Sequence, residues 1–336
     1  MNKQQIILGC AIFIIAAAAI FIYIYLHTDP VTRKSRETLR TIKHEYMNHH
    51  HMIHAYPGKV DSQYLSESAG LYMNYLVKTG REDEFEEYVE EFKEQFLIEK
   101  NGQVFVKWEL DTGAHVNALI DDMRIVAALN RGARLFSNSK YTTLADKIVA
   151  GIKSKQLRDE TVVDFYDWKY DKPADRITLS YLTGDFFHYF SGNDREKRFL
   201  ENATVSGNAF FPEYYKISVD SGQYISKREV HMVDQILIAM NRKNLGFDSP
   251  RFLSWLKEKW QQEHKIYGRY DRSSGNPSVK YESLSVYDYM QRYLDQAGEH
   301  EMAKETRKRM REIAPERDLG ETHFFDYIHY RFITTK

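Results

Sequence analysis

The sequence predicts an all-α protein: an (α/α)6 barrel, a six-hairpin toroid with short β segments in its loops, preceded by one transmembrane helix. Three observations predict it. Helix-compatible stretches follow one another from residue 57 almost to the end of the 336-residue chain, separated by short turns. They share no fixed sequence period of the kind that marks a helical solenoid, which speaks against an open stack of repeats. Three connections, 157–174, 202–225 and 266–280, are long and aromatic, and loops of that kind gathered on one face are how a helical barrel builds a groove.

Taken in order, Ile6 to Leu26 is an uncharged apolar run, long enough to cross a hydrocarbon core of about 30 Å. Tyr23 and Tyr25 at its end suit the membrane interface. Ala16 to Ala19 offer the small residues of a cleaved signal peptide, but Ile20, Phe21 and Ile22 prolong the run, which suits a retained anchor. Cys10 has too little apolar sequence before it for a lipoprotein. The expected organisation is a transmembrane anchor at 1–30, a helical linker or first helix at 31–56, and the barrel at 57–336. Orientation carries a conflict. Lys3 precedes the anchor while Arg33, Lys34, Arg36, Arg40 and Lys43 follow it, and that count favours a cytoplasmic domain.

The charged, helix-compatible stretch 31–56 stops at Pro57-Gly58, a strong break. Helices are expected near 61–79, 82–99, 117–136, 139–156, 175–190, 226–244, 249–265, 280–297, 299–313 and 321–333. In the third, Leu119, Met123, Val126, Ala127 and Leu129 keep close to a helical spacing. Val104 to Trp108 reads as a short strand behind an Asn101-Gly102 turn.

Composition excludes several classes. Lys+Arg 47 against Asp+Glu 48 gives a net charge of -1, which argues against a general nucleic-acid binder. Cys10 is the only cysteine, so the rest of the chain has no thiol nucleophile and no cysteine-ligated zinc. Gly-rich phosphate loops and a G-x-S-x-G element are absent, and no cofactor is expected. His50 and His54 stand at i, i+4, but no glutamate holds the general-base position, so the His49-His50-His51 cluster reads as a polar helix face and no metal is assigned. The 24 Tyr, 19 Phe and 4 Trp suit core packing, their commoner use, or stacking on sugar rings.

Two segments carry a family resemblance. Leu65-Ser66-Glu67-Ser68-Ala69-Gly70-Leu71-Tyr72-Met73 resembles the acid motif of glycoside hydrolase family 8, approximately S-E-G-x-G-Y-G-M, matching at Ser66, Glu67, Gly70 and Met73. Ala118-Leu119-Ile120-Asp121-Asp122-Met123-Arg124-Ile125 is similar to the family's A-[ST]-D-A-D-x-x-I signature, with Asp122 on its second Asp and Ile120 in place of the first. Trp108-Glu109-Leu110 resembles the tryptophan segment leading into it. Asp164 to Trp168, Leu179-Ser180-Tyr181 and Phe211 to Tyr215 agree in kind, so the likeness spans most of 57–335 as that of a distant relative.

The resemblance implies roles. Hydrolysing a glycosidic bond takes a proton for the leaving oxygen and, with inversion, a base to activate water, both normally carboxyl groups. Glu67 would be the acid, its pKa raised by partial desolvation. An ordinary first-turn glutamate favoured by the helix dipole is the competing use of that position. Asp122 would hold the distorted sugar, with Asp121 beside it as a further contact; a solvated Asp pair balanced by Arg124 is the alternative. The family's base commonly sits in a Tyr-Asp-x-x-Arg segment that this chain lacks. Asp234 is the leading candidate, ahead of Asp220 and Glu229. Trp108, Tyr166, Trp168, Tyr214 and Tyr215 would be the sugar platforms.

The expected function is an inverting, endo-acting glycosidase on a β-linked extracellular polysaccharide such as an exopolysaccharide or β-glucan. It would sit at the cell membrane as a single-pass protein with its domain outside. Its partners would be that polymer, the membrane, and the machinery of exopolysaccharide synthesis or export. A scaffold of the same fold that binds glycan without cutting it is the alternative, and a cytoplasmic helical-repeat protein the third reading.

Overall fold

The computed structural model describes residues 30–59, 62–110, 113–190, 192, 194–204, 206–218, 222–315 and 319–335. The anchor expected at Ile6–Leu26 lies outside the described residues. Among those described, no helix is long and apolar enough to cross a membrane.

Helices dominate, and their burial sorts them into two layers. One set is buried nearly all round. Helix α4 (Leu119–Leu135) buries Leu119, Ile120, Met123, Ile125, Val126, Ala127, Ala128, Leu129 and Ala133 together with Asp121 and Asp122. Helix α10 (Leu284–Gln296) buries Leu284 through Gln291 without a break. Helices hydrophobic on every side belong inside a fold, whereas a single apolar stripe marks a surface helix. The second set shows stripes. Helix α9 (Pro250–Glu263) buries Phe252, Leu256 and Trp260, and helix α11 (His300–Ile313) buries Ala303, Thr306 and Met310. Helix α3 (Glu82–Phe96) buries Phe85, Tyr88, Val89, Phe92 and Phe96, and its Glu82, Asp83 and Glu84 sit in the first turn, where the helix dipole favours acids. Full burial of one such phenyl ring stabilises by roughly 1.5–3 kcal/mol.

The inner layer closes. Helix α2 (Ser66–Lys78) packs on α4, α4 on the short α6 (Gly184–Tyr189), and the 3-10 turn Leu179–Tyr181 on α8 (Met232–Asn244). Helix α8 packs on α10, α10 on α12 (Phe324–Thr334), and α12 returns to α2. The last inner helix therefore meets the first, which excludes an open superhelix. Outer partners are α3, α5 (Ser139–Lys155), α7 (Asp194–Glu201), α9, α11 and, from the N-terminal side, α1 (Pro30–Thr41). Arg331 donates from Nε to Thr38 Oγ1 at 2.6 Å and Tyr46 donates to the Thr322 carbonyl at 2.9 Å, so the segment expected as a linker or first helix is bound to the last helix and the turn before it.

Short antiparallel ladders occupy the connections. Strands β1 (Leu97–Lys100) and β2 (Gln103–Val106) pair around Asn101 and Gly102, whose φ of 53° and 71° form the left-handed hairpin turn that the Asn-Gly pair predicts. Strands β3 (Arg176–Thr178), β4 (Tyr214–Lys216) and β5 (Gln223–Ile225) form one sheet, and β6 (Glu229–His231) pairs with β7 (Arg269–Asp271).

Several expected boundaries are corrected. Residues 97–99 are strand rather than the end of a helix, 176–178 are strand and 226–231 precede α8, while α7 falls in a stretch expected to be loop. Residues 47–54 are not helical. Met47 bridges Ile53 across a turn in which His51 has φ 57°, so His50 and His54 do not share a helix face. His54 is buried instead, its ring 4.7 Å from that of Tyr64.

Candidate active site

Five inner helices, α2, α4, α8, α10 and α12, bring their first turns to one concave end of the ring. A groove of about 1340 Å3 is lined there by Glu67 from α2, Ile120 and Arg124 from α4, Tyr181 from the 3-10 turn, Asp234 from α8, Ser285 from α10, and Phe325 and Asp326 from α12. Each lies in the first turn or two of its element, where unpaired backbone N–H groups give a partial positive charge that suits carboxylates.

Glu67 reaches the floor because α2 and α4 come close. A Cβ placed on Gly70 would stand 3.1 Å from both Arg124 Cβ and Ile125 Cγ1, so only a glycine allows this approach without a shift. Asn74 locks the pair by donating to the Gly70 carbonyl at 2.8 Å and the Arg124 carbonyl at 3.1 Å. Arg124 Nη1 then lies 2.8 Å from Asp121 Oδ1 and 3.6 Å from Glu67 Oε2. Asp121 also accepts from Ser66 Oγ at 3.2 Å. Burial, aided by the charges of Asp121 and Asp234, raises the Glu67 carboxyl to about 7 despite Arg124. Asp234 accepts the Ser180 hydroxyl at 2.7 Å. In ring order α8 is three places from α2, so Asp234 faces Glu67 across the axis.

Of the acids singled out in the sequence, Glu67 and Asp234 line one groove, and Asp121, 3% exposed, lies behind it as the partner of Arg124. Asp122 does not join them. It is 1% exposed and absent from the groove lining, turned into the protein where Asn117 Nδ2 donates to its Oδ2 at 2.5 Å. Its Oδ1 has no hydrogen-bond partner among the described residues, and burial holds its carboxyl well above the usual carboxylate range. Successive residues of a helix are turned about 100° apart, and here Ile120 and Arg124 take the groove side of α4 while Asp121 turns towards Ser66 of α2. Glu229 lies on the groove rim, committed to Arg269 at 2.8 Å and Ser278 at 2.7 Å, which lower its pKa. Asp220 lies outside the described residues.

None of the five expected platforms lines this groove. Tyr166 is buried with its ring 5.0 Å from Phe105 and its hydroxyl on Asp171. Trp168 stacks on Phe105 at 6.0 Å and borders a separate cavity of about 520 Å3. Tyr215 lies 4.1 Å from Phe199, and Tyr214, on the opposite face of β4, lies under the Arg176 guanidinium. Trp108 is half exposed, and its carbonyl accepts the Ser66 N–H at 2.9 Å, so its backbone positions the start of α2. The aromatic residues that do line the groove are Tyr56, Tyr181, Tyr281 and Phe325.

Sequence reasoning missed Asp326, which accepts from Ser283 Oγ at 2.7 Å and Ser285 N at 3.0 Å, and it missed Tyr181 as a groove residue and the buried Ser180 as the partner of Asp234. An acid in the first turn of an amphipathic helix was the available signal for Asp326, and it is too common a placement to stand out. Asp121 and Arg124 at i, i+3 were a readable pair.

No protein-family model matches the chain. A Bacillus subtilis (strain 168) protein that carries a lipoprotein name, YdaJ, is 30% identical over 234 residues, 67% of this chain and 62% of that protein. The chain thus spans less than two thirds of the length of that curated relative. The crystal structure of PssZ from Listeria monocytogenes superposes with a TM-score of 0.81 at 32% identity, over 92% of this chain and 96% of that one. An alpha-amylase from Clostridium perfringens follows at 0.76 and 19%, over 90% and 97% of the two chains. Endoglucanase Cel10 of Klebsiella pneumoniae, a family 8 glycosyl hydrolase, gives 0.62 and 12%, over 89% and 98%. The last two likenesses are of fold. The closed ring, the Glu67 and Asp121 segments at its mouth and these neighbours agree: the chain is a distant member of the glycoside hydrolase family 8-like proteins.

Proposed function

We propose that the chain is an inverting, endo-acting glycosidase of an extracellular β-linked polysaccharide, held at the membrane by residues 1–30 with the barrel of 57–336 outside. The observation that carries this reading is a half-buried Glu67 with a pKa of about 7, facing Asp234 across an open groove. A carboxyl that keeps its proton near neutrality can protonate the departing glycosidic oxygen. Asp234, oriented by Ser180, takes the proton of a water that attacks the anomeric carbon from the opposite side. The bond to the leaving sugar breaks as the bond to water oxygen forms, and Asp234 ends protonated while Glu67 ends ionised. Asp121, bonded to Ser66 and Arg124, fixes the Arg124 guanidinium, which lines the groove and is placed to donate to sugar hydroxyls. Tyr281 and Phe325 offer apolar ring faces to the sugar.

An open groove with several aromatic residues along it supports action within a polymer chain. The lipoprotein name of the Bacillus relative supports a membrane-associated place, where exopolysaccharide made or exported by neighbouring machinery would be the polymer met. The alpha-amylase among the structural neighbours makes the linkage part of the test.

Reducing-end release from a panel of exopolysaccharides, β-glucans and one α-glucan is the test, with Glu67→Gln as control. Release abolished by that change, with product of inverted anomeric configuration by proton NMR, is the expected result. Retention of a polymer without release would replace the enzyme reading by glycan binding.

A further inference from the structure

Where α1 joins the barrel, its flank carries a cavity rich in cations. The cavity holds about 570 Å3, and Lys34 from α1, Arg307 and Arg311 from α11 and Arg331 from α12 line it against one acid, Glu37. Arg307 is already paired with Asp295 at 3.2 Å. Arg331 donates only to neutral oxygens, from Nε to Thr38 Oγ1 at 2.6 Å and from Nη2 to the Lys34 carbonyl at 3.2 Å. Among the described residues no carboxylate lies within ion-pair distance of Lys34, Arg311 or Arg331.

Helix rules explain part of this arrangement. Arg331 and Arg311 stand in the last turns of α12 and α11, where the helix dipole favours a cation. Lys34 gains nothing of the kind. Helix α1 has no acid in its first turn and carries Arg33 and Lys34 near its start, beside the positive end of the dipole. Cations gathered around one cavity repel one another, and an anion seated among them reverses the sign of that interaction.

Helix α1 also fixes which way the barrel faces. Its early residue Lys34 meets Arg331 near the end of α12. Tyr46, beyond the end of α1, meets the start of α12, its hydroxyl on the Thr322 carbonyl and its ring 5.3 Å from that of Phe324. The two helices are therefore antiparallel. The start of α12 lies at the groove, so Pro30 lies at the end of the barrel away from it. Leu26 closes the apolar run four residues before Pro30, a reach of at most about 15 Å, and Lys34 stands about 6 Å further along α1.

Resting on the reading of residues 1–30 as a membrane anchor, we infer that this cavity docks on the phosphate headgroups of an anionic bilayer, so that the barrel stands with its groove turned away from the lipid. A phosphodiester brings charged oxygens to Lys34, Arg311 and Arg331, and Tyr330 and Thr334 border the same cavity. Polymer then reaches Glu67 from the side open to solvent. The docking holds on whichever face of the membrane the barrel stands.

The test uses the full chain with Cys10→Ser and a dye on one introduced cysteine. One version carries Glu301→Cys, at the exposed start of α11 away from the groove, and the other Glu321→Cys, on the groove rim. Both are reconstituted with vesicles of phosphatidylcholine, with or without phosphatidylglycerol, that bear nitroxide quenchers on some headgroups. The expected result is quenching at Glu301→Cys that requires phosphatidylglycerol and is reversed by high salt, with Glu321→Cys unquenched. Lys34→Gln with Arg311→Gln should lower the docked-to-free ratio roughly thirty-fold, about five-fold for each charge lost at an anionic surface. A thermal melt confirms that this variant is folded. Equal quenching with and without phosphatidylglycerol, no response to the double substitution at any phosphatidylglycerol content, or stronger quenching at Glu321→Cys overturns the docking. Flotation of the vesicles separates this from failure of the anchor. A chain that floats with both vesicle types and is never quenched keeps the anchor and loses the docking. One that floats only with phosphatidylglycerol keeps the docking and loses the anchor, and one that floats with neither loses both.

Discussion

Ser180 donates its hydroxyl to Asp234 Oδ1 at 2.7 Å, joining the 3-10 turn that replaces the start of one inner helix to the first turn of the next. Among the described residues no other hydrogen bond reaches the Asp234 carboxylate, which leaves Oδ2 to take a proton from water. Asp234→Asn is expected to lower kcat by about 10²–10⁴-fold, the usual worth of a positioned general base. Ser180→Ala keeps the carboxylate and loses only its aim, so a drop of roughly tenfold or less is expected. Initial rates on the polymer that the wild type cuts would check both, and equal losses in the two variants would remove Asp234 from the role of base.

The pH dependence follows from Glu67. The active form is protonated, so the rate is expected to fall as pH rises through about 7. An acid raised by burial differs here from one that is paired: a paired carboxylate would have lost its proton near pH 4 and left no activity at neutrality. A rate profile of kcat/KM from pH 4 to 9 would check this, and activity still rising above pH 8 would contradict it.

The groove was partly legible because its acids stand in local patterns. Glu67 sits among small residues, Ser66, Ser68, Ala69 and Gly70, that let helices meet, and Asp121 and Arg124 share a helix face. What sequence could not fix was rotation. Asp121 and Asp122 are neighbours, and which of them meets Ser66 and Arg124 and which meets Asn117 depends on how α4 seats against α2 around Gly70. The aromatic platforms were misplaced for a related reason. Tyr214 and Tyr215 occupy alternate faces of a strand whose partners on one side, Thr178 and Ile177, lie far away in sequence. The helix expected at 175–190 failed because Arg176–Thr178 is bound to Tyr214–Lys216, a long-range pairing that overrides local preference.

Asp122 should show itself in stability. Its carboxyl is raised by burial, with Asn117 opposing and Asp121 adding to the shift. A group whose folded pKa lies above its unfolded value contributes stability in full below the unfolded pKa and loses it as pH rises towards the folded value. Wild-type stability should therefore decline above pH about 4, with this one proton contributing a slope of at most about 1.4 kcal/mol per pH unit. Asp122→Asn cannot ionise and retains an acceptor for Asn117, so its melting temperature should fall less between pH 5 and 8. Parallel curves for the two proteins in thermal melts would show that Asp122 does not titrate in this range.

Two glycines should behave in opposite ways when given a methyl group. A Cβ on Gly151 in α5 would stand 2.4 Å from the Val104 carbonyl oxygen, which is backbone of the β1–β2 hairpin and cannot swing aside. Gly151→Ala should therefore cost about 1–3 kcal/mol of stability, as overpacking does, and leave the chemistry at the groove alone. A Cβ on Gly268 would stand 2.3 Å from the Tyr281 ring, but that ring is 49% exposed and can move outward into the groove. Gly268→Ala should keep the fold, with a melting temperature close to wild type, and change KM for polymer while leaving the pH profile set by Glu67 in place. Chemical denaturation and steady-state kinetics on the pair would separate the two effects. A KM unchanged in folded Gly268→Ala would mean that Tyr281 does not meet the substrate.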